Sequence, residues 1–344
     1  MSWHCETYVV DSRPSYHYRV MGNRYTPKVP RDNSQSRVGK DKHISLIFLH
    51  ATSMFKECFE PVIDLLFTGY SSRSGKSPVI DEVWSIECPN HGYSAVLNAD
   101  DIRIHNPETW QTHEYADAAY AFLRGRPGGH DLPKKNLVII GHSMGAFMMP
   151  YLTQREPKIE FDAIILCDPI ISPRCREMDI IEKVWVKSTF SHRDTWTSRV
   201  EAREYLDRYK VWKIWTSDIK DLFVGGEMPD SHPLGGAVKL AFSKEHEIST
   251  YRTSVADDTA HNELASLYAS NTPVHLVYDM NPHPIVGKVQ GTLHRCHGFE
   301  PTSAQPIRSG HMFFQTNPIE GAELIMTALE YERNPHNDIT VARL

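Results

Sequence analysis

The stretch Leu137-Val-Ile-Ile-Gly-His-Ser-Met-Gly-Ala146 constrains this chain more than any other. An apolar run ends in Gly-x-Ser-x-Gly with Ser143 at its centre, and an apolar segment of helical character follows from Ala146 to Leu152. That order predicts a buried strand that turns sharply into a helix and holds one serine at the tip. Gly141 and Gly145 flank the turn, where side chains would crowd it. The N–H groups that open the helix face the same point, and the helix dipole favours negative charge there. The pattern predicts a nucleophilic serine at 143 rather than a plain tight turn.

The rest of the chain supplies a frame. Tyr8 to Val10 and Tyr16 to Val20 suit edge strands or a hairpin, and a polar stretch from Pro27 to Lys42 reads as a surface loop. Apolar strands are predicted at Ile44–Leu49, Val79–Ile86, Leu137–Ile140, Phe161–Cys167 and Thr272–Tyr278. Helical spacing appears at 58–67 and 109–123, and again at 319–331. Strands alternating with helices imply an α/β fold with a mostly parallel central sheet covered on both faces. Between 171 and 265 the strand pattern stops, and amphipathic helices rich in tryptophan take over. The expected organisation is core 1–170, a helical lid 171–265, and core 266–344, with the lid over the carboxyl ends of the strands.

A serine hydroxyl needs a base within hydrogen-bond reach and a third group to orient that base. In the order Ser, Asp, His the base falls late in the chain. His311, in Ser309-Gly-His-Met-Phe just before the closing helix, is the candidate; His283, His294 and His297 are read as solvated loop residues. Two acids end predicted strands: Asp168 is the first choice and Asp279 the alternative, and either could instead cap a turn. The oxyanion needs two backbone donors, expected from Met144 and from Thr52 in the loop after the first central strand.

Leu49-His-Ala-Thr52, Asn90-His-Gly-Tyr-Ser94, Gly141-His-Ser-Met-Gly145 and Ser309-Gly-His-Met312 occur in that order. With them the chain resembles the α/β-hydrolase fold superfamily. Three further segments, His50 to Val62, Trp212 to Val224 and Val238 to Tyr251, resemble a fungal group of peroxisomal hydrolases. It includes a yeast lipase-like hydrolase, the acyl-CoA thioesterase of mycophenolic acid synthesis and hydrolases of host-selective toxin clusters. The resemblance implies that Asp168 is the acid, and it implies work in fungal secondary metabolism. Ala51 departs from the glycine usual after the histidine of the oxyanion loop.

Composition excludes several alternatives. Net charge is −6 with scattered basic residues, which gives no nucleic-acid footprint. Six cysteines without a C-x-x-C pair read as free thiols. Nineteen histidines form no H-E-x-x-H, so no metal and no cofactor is expected. No secretory leader is expected from Met1 to Glu6, and no apolar run reaches membrane-spanning length. Ala342-Arg343-Leu344 is a small–basic–Leu variant of the S-K-L peroxisomal address, read by an import receptor. The expected location is the peroxisomal matrix, or the cytoplasm if the tripeptide is not read. The expected function is a serine hydrolase of an ester or thioester, acyl-CoA included, with an apolar acyl group. A non-catalytic ligand-binding protein, or an acyl transferase or C–C bond enzyme on the same residues, is the alternative. The oligomeric state stays open, a homodimer included.

Overall fold

A computed structural model describes residues 1–29, 42–68, 78–106, 109–111, 113–226, 236–256 and 258–331 of the protein. The polar segment expected at Pro27–Lys42 falls mostly, and Ala342-Arg343-Leu344 wholly, outside these residues. The strands are β1 (Trp3–Asp11), β2 (Arg19–Pro27), β3 (His43–Leu49), β4 (Val79–Ile86) and β5 (Leu137–His142), then β6 (Ala163–Cys167), β7 (Thr195–Trp196), β8 (Val238–Lys239), β9 (Val274–Asp279) and β10 (Ser303–Ile307). Eight of them make one sheet in the order β1-β2-β4-β3-β5-β6-β9-β10. The β1 and β2 hairpin runs antiparallel, and β2 joins β4 antiparallel. Every later pairing in the sheet is parallel.

The central strands read as unbroken apolar runs because both of their faces are covered. Ile44, Leu46 and Phe48 of β3, with Val138 and Ile140 of β5, pack against Val62, Ile63 and Leu66 and against Ile325 and Met326. Those partners lie on the helices Glu60–Thr68 and Pro318–Leu329. Ile47, Leu49, Leu137 and Ile139 point the other way, against Tyr115, Phe122 and Leu264. These belong to the helices Glu114–Arg124 and Thr259–Ala269. Alternation at a period of two sends neighbouring residues into opposite layers, and each buried Leu or Ile contributes about 1.5–3 kcal/mol. A slip of one residue would exchange the two sets, so the register is firmly set.

That register aligns the strand ends. Leu49 pairs with Gly141, His142 with Cys167, and Cys167 with Val277. The residues that follow, His50 to Thr52, Ser143, Asp168 and Asp279, therefore emerge along one edge of the sheet.

Between β6 and β9 the chain forms the helices Arg176–Ser191, Arg199–Arg208, Ser217–Gly226 and Lys244–Ala256, followed by Thr259–Ala269. The two-residue strands β7 and β8 also lie here, paired antiparallel. Two residues are too few for alternation to be legible, which is why no strand was expected. Trp196, Trp212, Trp215 and Phe223 from this stretch join the same apolar cluster as β3 and β5. A second difference lies after β9. The loop expected around His283 contains a helix, Pro284–Gln290, whose proline occupies the first turn and whose His283 ring accepts the Ile285 N–H at 3.4 Å. Proline is well suited to that position, and seven residues are too short for a clear period.

Lys56 and Glu87 are both buried, one just after β3 and one just after β4. The Lys56 ammonium lies 2.9 Å from Glu57 and 3.3 Å from Glu87. Glu87 also accepts the Ser94 N–H at 2.9 Å. Burial works against the charge on Lys56, but Glu87 and Glu57 outweigh it and hold the ammonium above the ordinary lysine value. Removing Glu87 leaves the buried Lys56 with Glu57 alone and takes the acceptor from the Ser94 N–H. Glu87→Leu is expected to lower unfolding stability by about 3–5 kcal/mol in urea denaturation, and Lys56→Met/Glu87→Leu to recover part of that loss. Equal stability of Glu87→Leu and the parent protein would contradict the account.

Candidate active site

Ser143 sits at φ 52°, ψ −109°, a conformation that L-residues seldom adopt. Three backbone bonds hold it there. The Ser143 N–H donates to the Cys167 carbonyl at 2.9 Å, Phe147 donates back to the Ser143 carbonyl at 2.9 Å, and Gly145 donates to the His50 carbonyl at 3.1 Å. A β-carbon on Gly145 would lie 2.2 Å from the Leu49 carbonyl oxygen, and one on Gly141 would lie 2.5 Å from the Ala146 nitrogen. These neighbours are backbone atoms and cannot rotate away. The helix that follows is broken: Met144–Phe147 ends at Met148, and Met149–Leu152 restarts it with Pro150 in its first turn. Its first turn still leaves N–H groups without intrahelical partners beside Ser143.

His311 follows β10 and precedes the short helix Phe313–Thr316. Its Nε2 lies 3.1 Å from Ser143 Oγ and its Nδ1 lies 2.5 Å from Asp168 Oδ2. Asp168 follows β6 at φ 49° and is 1% exposed. Its other oxygen, Oδ1, accepts the Asp279 N–H at 2.8 Å and the Gln290 side-chain amide at 2.5 Å. Both carboxylate oxygens are thus engaged, and the acid has one orientation. The Asp279 carboxylate accepts the Asn281 N–H at 2.9 Å instead. Among the described residues it makes no hydrogen bond to His311.

Protonation follows from these contacts. Burial disfavours the charged form of His311, but the hydrogen bond and the negative charge of Asp168 outweigh it and raise the ring above the ordinary histidine value. Burial likewise opposes ionisation of Asp168, yet His311 and the Asp279 N–H hold it below the ordinary carboxylate range. The ring accepts a proton only when neutral, so its capacity as a base grows as pH rises through that raised value. His142, inside the elbow, is pushed by burial and by the charge of His311 down to about 3. It therefore stays neutral, and its Nε2–H donates to the His311 carbonyl at 2.8 Å.

The loop carrying Thr52 is held by two more buried imidazoles. His50 accepts the Cys88 N–H at 3.0 Å, and His91 accepts the Ser53 N–H at 3.1 Å. Each donates from its other nitrogen, His50 to the Ala51 carbonyl at 2.8 Å and His91 to Asn90 Oδ1 at 2.7 Å. Burial lowers both, His50 to about 4, so neutral rings with one donor and one acceptor are the stable forms. Thr52 and Met144 line a pocket of about 330 Å³ that also opens onto Ser143 and His311. Its walls are mostly apolar, with Phe147, Ile170, Met178, Trp185, Tyr251 and Met312, but Ser254, Asp279 and His283 also line it.

Ser143, Asp168, His311, Thr52 and Met144 are therefore brought together, while Asp279 lies beside them with its carboxylate turned to Asn281. His283 lines the same pocket as the cap of Pro284–Gln290. His294 packs edge-on to Tyr278, and His297 stands beside His261. Sequence reasoning missed Gln290, His142 and His91. Gln290 had no signal, because its helix was unread. His142 and His91 lay within quoted motifs, but a buried imidazole that accepts or donates to backbone has no spacing rule.

The α/β hydrolase family profile matches residues 46–322, and the chain belongs to that family. Solved structures of the same fold include the peroxisomal α/β-hydrolase Lpx1 of Saccharomyces cerevisiae, at 18% identity and a TM-score of 0.70, covering 95% of this chain and 88% of that one. E-2-(acetamidomethylene)succinate hydrolase is similar at 15% identity and a TM-score of 0.62, covering 95% and 100%. The thioesterase domain from the curacin biosynthetic pathway matches at 14% identity and a TM-score of 0.62, covering 94% and 99%. No curated protein sequence matches the chain.

The two acids are separable by titration. In NMR spectra the His311 ring is expected to titrate above the ordinary histidine value. Asp168→Asn removes the charge that raises it and leaves burial, so the midpoint should fall below that value. Asp279→Asn should move it far less. A larger fall in the Asp279 variant would make Asp279 the partner that governs the ring.

Proposed function

We propose that this α/β hydrolase is a serine hydrolase that cleaves an ester or thioester of a sizeable apolar acyl group. The observation that carries the reading is the unbroken hydrogen-bond chain from Ser143 through His311 to Asp168, all three lining a mostly apolar pocket. Ser143 Oγ attacks the acyl carbon while His311 Nε2 takes its proton. Asp168 holds the ring in the tautomer that accepts at Nε2 and stabilises the imidazolium that forms. The developing oxyanion accepts from the N–H groups of Thr52 and Met144. His311 then protonates the leaving alcohol or thiol. Water repeats the sequence on the acyl-enzyme, with His311 again as base, and frees the acid and the serine.

The pocket bears on the substrate. At about 330 Å³ it lies at the small end of ligand sites and suits one acyl chain, with a bulky leaving group outside. Met178, Trp185 and Tyr251 of its walls come from the stretch between β6 and β9, which supports reading residues 171–265 as a lid over a core of 1–170 and 266–344. The test is an active-site serine probe together with a panel of acyl esters and acyl-CoA thioesters. Ser143→Ala should fold, lose all labelling, and lose several orders of magnitude in kcat. More than about a tenth of the activity surviving in that variant would remove Ser143 from the mechanism.

The proposal extends to location. Ala342-Arg343-Leu344, read as a terminal address, sends the enzyme to the peroxisomal matrix, where acyl-CoA thioesters are a natural pool. A role in fungal secondary metabolism, in making a polyketide or fatty-acid-derived toxin, follows from the resemblance of the sequence. The fold likeness to a yeast hydrolase described as peroxisomal is in keeping with this. A fluorescent protein fused ahead of Met1 should collect in peroxisomes and become cytosolic when the tripeptide is deleted. Diffuse fluorescence of the intact fusion in an import-competent host would refute the address.

A further inference from the structure

Away from the pocket, His261, Cys296 and His297 converge. One potential ligand atom from each lies within 4.8 Å of the other two. His261 comes from the first turn of the helix Thr259–Ala269, and Cys296 and His297 from a tight turn 35 residues further on. Cys296 is fully buried and His261 nearly so, while His297 is exposed. None of the three lines the pocket over Ser143.

Two features go beyond simple proximity. The first is the spacing of the inner pair. His261 Nε2 lies 3.4 Å from Cys296 Sγ. An ion bound at about 2.0–2.1 Å to nitrogen and about 2.3 Å to sulfur, with tetrahedral angles, sets those atoms about 3.5 Å apart. The inner pair already has the edge length of a zinc tetrahedron. The second is how the third residue is presented. Cys296 and Phe299 exchange both backbone hydrogen bonds, at 2.8 and 2.9 Å. The two residues between them have positive φ, His297 at 49° and Gly298 at 91°. This is a two-residue turn of the type that favours asparagine and glycine. A histidine in the left-handed region carries backbone strain, and here its ring is set 5.2 Å from the His261 ring.

We propose that His261, Cys296 and His297 form a binding site for a divalent transition metal ion of the zinc class. Two imidazoles and one thiolate are a borderline-soft set that suits this ion rather than magnesium or calcium. The Cys296 thiol now donates to the His261 carbonyl at 3.1 Å. On binding it loses that proton to solvent, the sulfur and the two neutral imidazoles each give a lone pair to the ion, and His297 swings inward from the surface. Three protein ligands leave the fourth position to water on the exposed side. The bound ion would tie the helix Thr259–Ala269 to the segment that follows Gln290. The proposal stands independently of the hydrolase reading, because it uses none of the residues assigned to that chemistry.

The test uses the full chain, freed of metal by chelator and titrated with cobalt(II) and then zinc. A thiolate-to-cobalt charge-transfer band is expected, saturating at one ion per chain and bleached by zinc. Cys296→Ser should abolish the band. His297→Ala, at an exposed turn where folding is not at risk, should weaken affinity at least about tenfold. Hydrolysis by both metal-free variants should match that of the metal-free parent. Absence of the band in the parent chain, or a band that survives Cys296→Ser, would overturn the site.

Discussion

The backbone contact between the elbow and the end of β3 sets the geometry on which the rest of the site depends. Gly145 can lie against the Leu49 carbonyl only because it has no side chain, and its N–H donates to the next carbonyl, that of His50. One contact thus fixes two things. It sets the height at which Ser143 stands above the sheet, and it sets where the loop from His50 to Thr52 begins. The parallel register of β3, β5, β6 and β9 then delivers Asp168 and Asp279 to the same edge. The site is a property of strand pairing before it is a property of any side chain.

Around that frame, burial sorts the titratable groups into two kinds. His50, His91 and His142 are driven neutral, and each serves as a fixed donor or acceptor for backbone. His311 alone among these four is pushed upward, because only it hydrogen-bonds directly to a buried carboxylate, that of Asp168. The result is a site with several neutral imidazoles and one whose hold on a proton is strengthened. Lys56 stands behind the loop from His50 to Thr52, shared between Glu57 and Glu87, so one buried cation ties two carboxylates together there.

Much of this frame was legible in the sequence. Central strands announced themselves as apolar runs because parallel sheets bury both faces, and the elbow because glycine, serine and glycine have steric reasons to follow such a run. The end of a strand is a well-defined place, so Asp168, Asp279 and the loop at Thr52 could be marked before any coordinates. What stayed hidden was governed by contacts across long separations. Gln290 reaches Asp168 over more than a hundred residues from a short helix that begins with proline. The sequence ranked Asp168 ahead of Asp279, but which carboxylate points at the His311 ring depends on side-chain direction, which no spacing encodes. The ribbon of β7 and β8 was too short to show a pattern. The meeting of His261 with Cys296 and His297 depends on where a helix packs, so the histidine count alone could not reveal it.

Gln290 has a consequence for how the protein fails. The side chains joined in this hydrogen-bond chain come from Ser143, Asp168, Gln290 and His311, and they share no local segment. Bringing them together requires the closing of several long loops, a slow event that is complete only when the last strand and helix have docked. The same dispersal acts in reverse. If the segment from β9 onward opens while the β3–β5 core holds, Asp168 loses the Asp279 N–H and Gln290 while His311 leaves its partners. The elbow would survive intact with Ser143 parted from His311. Under the proposed function, loss of turnover would then precede loss of the sheet, and turnover would be a more sensitive gauge of the native state than secondary structure.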